Sequence, residues 1–509
     1  MRVAGYATFV DVDIESCYTS ATNGLKMNVP KQEKMKGELH VERKITMTFL
    51  LAICACLCIG SITVLSEQKA VSVSDVSIVV KGYEWGPGVP KTVLQLSEAV
   101  TAVSEADFTV ITADVEREVI AIYLCDVHGE KVEGSSDCVA IELVTCNTAS
   151  GSPFCYNTQT RMNEWAKSYE VQIKGRFTAN GQTVLADLRQ DCIEKRICID
   201  TALFNKRSDF TGVYKNNCTG TDEELTLHLA AYEPEKLAGG AKNPLIIWLH
   251  GSGEGGKDAD ITILGNEVSA LAKAPIQSYF TSGNETGAYV LTLTCERYWM
   301  DEGDGSIGPG NGTPLYGDIL IDAISFYVAS NPDVDTKRLY VGGCSNGAFI
   351  ATYSILNNPT RFAAGFLVCG TYPYYEATRN DAVFVTEAQL KALGETPLWF
   401  IVSMDDTAVN PKQFTLPLYR SILKMGATNC WLSAFQHVKG TDTENAAYHG
   451  HHSWIYLFNN QVTGVQNPVK VAASRDIKTF GVTATNDGGG TETANGFSNI
   501  FEWMNAQSR

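Results

Sequence analysis

Three short segments carry the residues that could do chemistry. The first is Leu339-Tyr340-Val341-Gly342-Gly343-Cys344-Ser345-Asn346-Gly347-Ala348-Phe349, in which an apolar strand runs through G-x-S-x-G into a helix-like stretch. A serine on a tight strand-to-helix turn has its hydroxyl lifted clear of the sheet, and the flanking glycines leave room for that turn. A serine hydroxyl is a weak nucleophile until a base takes its proton, and the base needs an orienting carboxylate. Downstream, the strand Leu398–Ser403 ends in Met404-Asp405-Asp406-Thr407-Ala408-Val409, and His449-Gly450-His451-His452-Ser453-Trp454 follows in a loop before an apolar helix start. Serine, acid and histidine in that chain order suit a nucleophile, an orienting acid and a general base on one rim of a sheet. Adjacent side chains leaving a strand point to different sides, so only one of Asp405 and Asp406 can reach the histidine. A loop can present only one of three close histidines to the nucleophile. Gly450 gives His451 the latitude to turn inward.

Upstream, Leu245-Ile246-Ile247-Trp248-Leu249 delivers His250-Gly251-Ser252-Gly253-Glu254-Gly255-Gly256. The N–H of Ser252 and that of Asn346, right after the nucleophile, are placed to hold the oxyanion of a tetrahedral intermediate. A phosphate-binding turn is disfavoured, since the loop lacks a Lys-Ser/Thr ending. Neighbouring histidines on one loop also make a poor metal site without other ligands.

These parts need a scaffold. From about Asn243 strand-like and helix-like segments alternate: strands at 288–293, 338–342, 364–368, 398–403 and 431–435, helices at 317–329, 348–356 and 416–425. That rhythm predicts an α/β fold with a doubly wound, mostly parallel sheet. The stretch 483–496 reads as a surface insertion and 497–507 as a closing helix. From Val71 to about Asp200 the runs are short and β-like, as in Val76–Val80, Phe108–Thr112, Val119–Tyr123 and Tyr169–Ile173, which predicts an antiparallel β-sandwich. His128 stands alone there and reads as a surface residue. The expected layout is an unassigned extension over 1–44, a leader over 45–66, the sandwich over 71–200 and the catalytic domain over 201–509.

The leader is uncharged and mostly apolar from Ile45 to Leu65, with Arg43 and Lys44 before it. It reads as a signal peptide or a signal anchor, so membrane anchoring through 45–65 is one expected arrangement. Met35 and Met47 are alternative start sites. The chain has 509 residues, 15 cysteines and a formal net charge of −17, which argues against binding nucleic acid. Seven cysteines between Cys125 and Cys218 suit disulfides in an oxidising compartment. Cys344 and Cys369 stand at the ends of neighbouring predicted strands. They read either as a bridge bracing the serine turn or as two buried thiols.

With these residues in hand, the chain resembles secreted α/β-hydrolase esterases with an N-terminal immunoglobulin-like domain, relatives of polyhydroxybutyrate depolymerases and prolyl-oligopeptidase-like proteins. The resemblance rests on Gly82-Tyr83-Glu84-Trp85-Gly86-Pro87, Pro244–Gly256, Trp299-Met300-Asp301, Gly342–Gly347, Pro397–Phe400 with Asp406–Val409, and Gly450–Trp454. It implies a serine carboxylesterase with the triad Ser345, Asp406 and His451, no cofactor, and a small-molecule or polymeric ester as substrate. Leu291–Glu296 lacks the Pro-Gln pair usual before the Trp-Met-Asp block. Trp299 and Asp301 are candidates for substrate contact, or else a packed loop tryptophan and a capping aspartate. The competing functional readings are a prolyl-oligopeptidase-like peptidase and an inactive binding protein on a hydrolase scaffold.

Overall fold

The computed structural model describes residues 70–147, 151–236, 240–307, 313–372, 385–443 and 446–509. The extension and the leader expected over 1–66 lie outside the described residues. Among the described residues, no helix is long and apolar enough to cross a membrane.

The larger domain is built on eight strands: β1 (Lys206–Lys215), β2 (Asp222–Tyr232), β3 (Asn243–Leu249), β4 (Tyr289–Cys295), β5 (Val334–Cys344), β6 (Ala364–Val368), β7 (Leu398–Ser403) and β8 (Cys430–Phe435). Their order across the sheet is β1-β2-β4-β3-β5-β6-β7-β8. Only β2 runs against its neighbours; β3 to β8 are mutually parallel. β3 explains the apolar run in the sequence. All seven of its residues are buried, with Leu245, Ile247 and Leu249 in the core on one face and Ile246 and Trp248 in the core on the other. A strand covered on both faces has no polar side to show. The chain leaves β3 toward β4 on one flank and later adds β5 on the other. That change of direction opens a crevice at the C-terminal ends of β3 and β5, where ligands bind in open α/β sheets.

The Gly-rich stretch 483–496 is largely exposed, as expected, and it also closes the sheet's edge. Thr485 bridges to Phe435, and Ala434 N donates to Gly489 O (2.7 Å). This covers backbone groups that an edge strand would otherwise leave open. The closing helix spans Ile500–Asn505 and buries Ile500, Phe501, Trp503 and Met504.

The N-terminal region is the β-sandwich, with one sheet of five strands and one of four facing a shared apolar core. Ile261 and Leu264, from the helix Ala259–Gly265 of the larger domain, pack into that same core. Glu84 makes a second tie. Its buried carboxylate accepts from Thr441 N (2.6 Å), Thr441 Oγ1 (2.7 Å), Asp442 N (3.2 Å) and Asn459 Nδ2, while its own N–H donates to Asp442 Oδ2 (2.8 Å). Thr441 and Asp442 lie between the short paired strands Val438–Lys439 and Ala447–Tyr448, the second of which runs into His449.

The disulfides expected in the N-terminal half are not formed, and all eleven cysteines among the described residues are free thiols. Most sit on separate strands and turns. Cys125 and Cys138 stand opposite each other across two antiparallel strands, yet remain unbridged. Cys344 and Cys369 are likewise two buried thiols, the second of the two arrangements considered for them.

Candidate active site

Ser345 sits between β5 and the helix Asn346–Asn357, with φ 54° and ψ −117°. A non-glycine residue held there costs about 1–3 kcal/mol and persists only where its surroundings fix it. They do. Its N–H donates to Val368 O (2.9 Å), and its carbonyl accepts from Phe349 N (3.1 Å) and Thr371 Oγ1 (3.2 Å). The flanking glycines answer to contact. A Cβ on Gly343 would lie 2.3 Å from Leu249 O, and one on Gly347 2.0 Å from the same oxygen. The serine turn is therefore pressed against the end of β3, beside the loop that begins at His250.

That loop is anchored by His250, a residue whose role the sequence did not signal. The Cys295 N–H donates to its Nε2 (3.2 Å), so the ring proton lies on Nδ1 and goes to Gly251 O (2.6 Å). Burial depresses its pKa to about 4, and the ring is neutral. Ser252–Glu254 follow as a short 3-10 turn. Among the described residues, neither Ser252 N–H nor Asn346 N–H donates to a protein acceptor. The Asn346 side chain is held from below, its Oδ1 accepting from Met300 N (3.1 Å).

Asp406 and His451 meet at the ends of β7 and the loop beyond β8. His451 Nδ1 lies 2.9 Å from Asp406 Oδ2. The other carboxylate oxygen, Oδ1, accepts from Ala408 N (2.9 Å) and Val409 N (2.8 Å), so the acid cannot turn away. Burial works against charge on His451, but the charge and hydrogen bond of Asp406, with the charge of Glu254, outweigh it and raise its pKa. Asp405 points elsewhere, to Ser403 Oγ (2.5 Å) and His437 Nδ1 (2.8 Å).

The three histidines of the loop separate by role. His449 Nδ1 accepts from His451 N (3.1 Å), and its Nε2 bonds Thr407 Oγ1 (2.7 Å), so it caps the turn that presents His451. His452 stacks on Trp454 at 4.7 Å, and burial first, then the neighbouring histidines, depress its pKa to about 3.

Ser345, His451, Ser252 and Glu254 border one cleft of about 420 Å³ counted to its open mouth. Among the described residues no hydrogen bond joins Ser345 to His451; such bonds commonly tighten only when substrate is bound. Trp299 and Asp301 do not border this cleft. Trp299 is fully buried between His250 (5.1 Å) and Tyr316 (6.0 Å), and Asp301 Oδ1 caps Gly303 N (2.7 Å) and Gly305 N (2.8 Å). The block packs beneath the rim and supports Asn346, so of the two readings it is the packed loop tryptophan and capping aspartate that the structure shows.

The profile of the esterase Ig-like N-terminal domain matches residues 75–186. Among solved structures, a thermostable esterase is similar with a TM-score of 0.57 and 19% identity, over 76% of this chain and 97% of that one. The acylaminoacyl peptidase of Pyrococcus horikoshii (TM-score 0.33, 15% identity, 58% of this chain and 47% of that one) is a more distant likeness. So is a ferulic acid esterase (TM-score 0.33, 11% identity, 50% of this chain and 95% of that one). No curated protein sequence matches the chain. The fold is that of an α/β hydrolase preceded by an Ig-like β-sandwich.

Proposed function

We propose that the protein is a serine carboxylesterase acting through an acyl-enzyme. Ser345 Oγ attacks the ester carbonyl as His451 Nε2 takes its proton. The Ser252 and Asn346 amides receive the oxyanion. The tetrahedral intermediate then expels the alcohol, which takes the proton from His451, and water repeats the sequence to free the acid and Ser345. Asp406 holds the imidazole in the required tautomer and balances its charge. The observation that carries this reading is that His451, paired to Asp406 at 2.9 Å, borders the same cleft as a serine held at φ 54°. In this reading the apolar run 45–65 directs the chain out of the cytoplasm as a signal or an anchor. Hydrolysis of p-nitrophenyl and alkyl esters, run beside peptide p-nitroanilides, tests the activity. Esters should be cleaved far faster; comparable or faster cleavage of the amides would replace the esterase reading with a peptidase one.

A further inference from the structure

One wall of the cleft comes from outside the catalytic domain. Tyr156 lies on a two-stranded hairpin, Phe154–Asn157 paired with Met162–Trp165, which belongs to neither sheet of the sandwich. It is the one residue of the N-terminal region bordering the cleft among the described residues. An isolated hairpin is marginal by itself, so what fixes this one matters.

It is fixed at both ends. At the base, Phe154 and Trp165 pack edge to face at 4.7 Å, and the Arg196 guanidinium lies 4.1 Å over the Trp165 ring. Trp165 Nε1 donates to Asp258 Oδ2 (2.8 Å) in the catalytic domain, and Asp258 also caps the helix Ala259–Gly265 through Asp260 N (2.9 Å). At the tip, Arg161 N closes the turn on Asn157 O (2.7 Å), and the Tyr298 hydroxyl of the catalytic domain donates to the Thr160 carbonyl. Tyr156 is thereby held on the border of the cleft that the Gly251–Glu254 turn also lines.

The sides of the cleft differ in what they can give. Gly251 and Gly253 add no bulk. His452 and Trp454 are stacked on one another, and Trp454 is buried at the start of the helix Trp454–Phe458. Tyr156 is half-exposed, and its ring can be shortened without opening a core. We infer that Tyr156 is a specificity-determining residue. Its ring limits the bulk of the ester group lying against the oxyanion turn, so the protein prefers esters with a small group on that side.

This inference rests on the esterase reading, and the test separates the two. Full-length wild type, Tyr156→Ala and Tyr156→Phe are assayed on p-nitrophenyl esters from acetyl to octanoyl and on acetate esters of increasingly bulky alcohols. In one of the two series, Tyr156→Ala should raise the ratio of kcat/KM for the bulkiest over the smallest ester by about ten-fold or more, the scale on which a pocket discriminates methylenes. Tyr156→Phe should leave that ratio as in wild type. Ratios unchanged within about two-fold in both series would overturn the inference. So would an equal shift in Tyr156→Phe, which would assign the effect to the hydroxyl, or a loss of turnover on the smallest ester. Tyr156→Val serves if the alanine variant does not fold, with a smaller shift of the same sign expected. A wild-type protein inactive on every ester would instead fail the esterase reading.

Discussion

Replacing Asp406 by asparagine tests the site's internal logic, because the structure dictates how the amide must sit. Asp406 Oδ1 accepts two backbone N–H groups, from Ala408 and Val409, while Oδ2 faces His451 Nδ1. An asparagine keeps its carbonyl oxygen on the two amides. The flipped amide would leave two buried donors unpaired, at about 1–3 kcal/mol each. Its NH2 therefore faces Nδ1, which must become an acceptor, and the ring proton moves to Nε2. A His451 in that tautomer cannot take the Ser345 proton. The expected loss in kcat is about 10⁴-fold, the scale of this change in a Ser-His-Asp enzyme, or about 5 kcal/mol of barrier. The variant also removes the two influences of Asp406 that raise the His451 pKa, so the acid limb of any residual kcat/KM profile should move to lower pH. Steady-state kinetics on p-nitrophenyl acetate over a pH series reads both effects. Asp405→Asn is the control and should keep most of the activity, since Asp405 engages Ser403 and His437. A larger loss for Asp405→Asn than for Asp406→Asn would refute the reasoning.

Two further outcomes follow from the same geometry. His451→Ala should reduce kcat to near background and His452→Ala should leave most of it, whereas His449→Ala should cost several-fold and be partly restored by His449→Asn, whose Oδ1 can accept the His451 N–H; equal losses for all three alanine variants would contradict these roles. Burial, with the charges of Asp442, Glu84 and Asp200, pushes Glu267 up to about 8 against the pull of Lys273. Its folded pKa lies above the unfolded one, so its contribution to stability is full below about pH 4.5 and is lost as pH rises through 8. The melting temperature of Glu267→Gln should therefore gain on wild type between pH 4.5 and 8, and parallel curves would refute the shift.

What the sequence disclosed followed from local steric and burial demands. Gly343 and Gly347 were readable because no larger residue fits against Leu249 O. Strands β3 and β7 were readable because a strand buried on both faces is apolar throughout. The edge strand β1 was not read, since its exposed and half-buried residues leave no continuous apolar run. Strand β2 carries Leu225, Leu227 and Leu229 inward at every second residue, a short alternation that stands out less than the denser apolar runs that follow. That only one of Asp405 and Asp406 could reach the histidine, and that Gly450 could turn His451 inward, had a local basis; the choice of Asp406 came from the family resemblance. The support around these residues had no local basis. Glu84 grips Thr441 across 357 positions, and Tyr156 reaches the cleft only because Trp165 finds Asp258 and Tyr298 finds Thr160. Contacts of that separation leave no pattern in a single chain. Trp299 stayed ambiguous for a related reason, since a tryptophan beside an active-site motif looks the same whether it lines the pocket or packs under it.

The most direct test of the central claim is covalent capture of the nucleophile. The full-length protein is treated with a fluorophosphonate probe at neutral pH, digested, and the modified peptide sequenced by mass spectrometry. A Ser-His-Asp esterase should carry one phosphonyl group, on Ser345, with labelling lost in Ser345→Ala and strongly slowed in His451→Ala. A label on any other residue, or ester hydrolysis surviving near the wild-type rate in Ser345→Ala, would contradict the account.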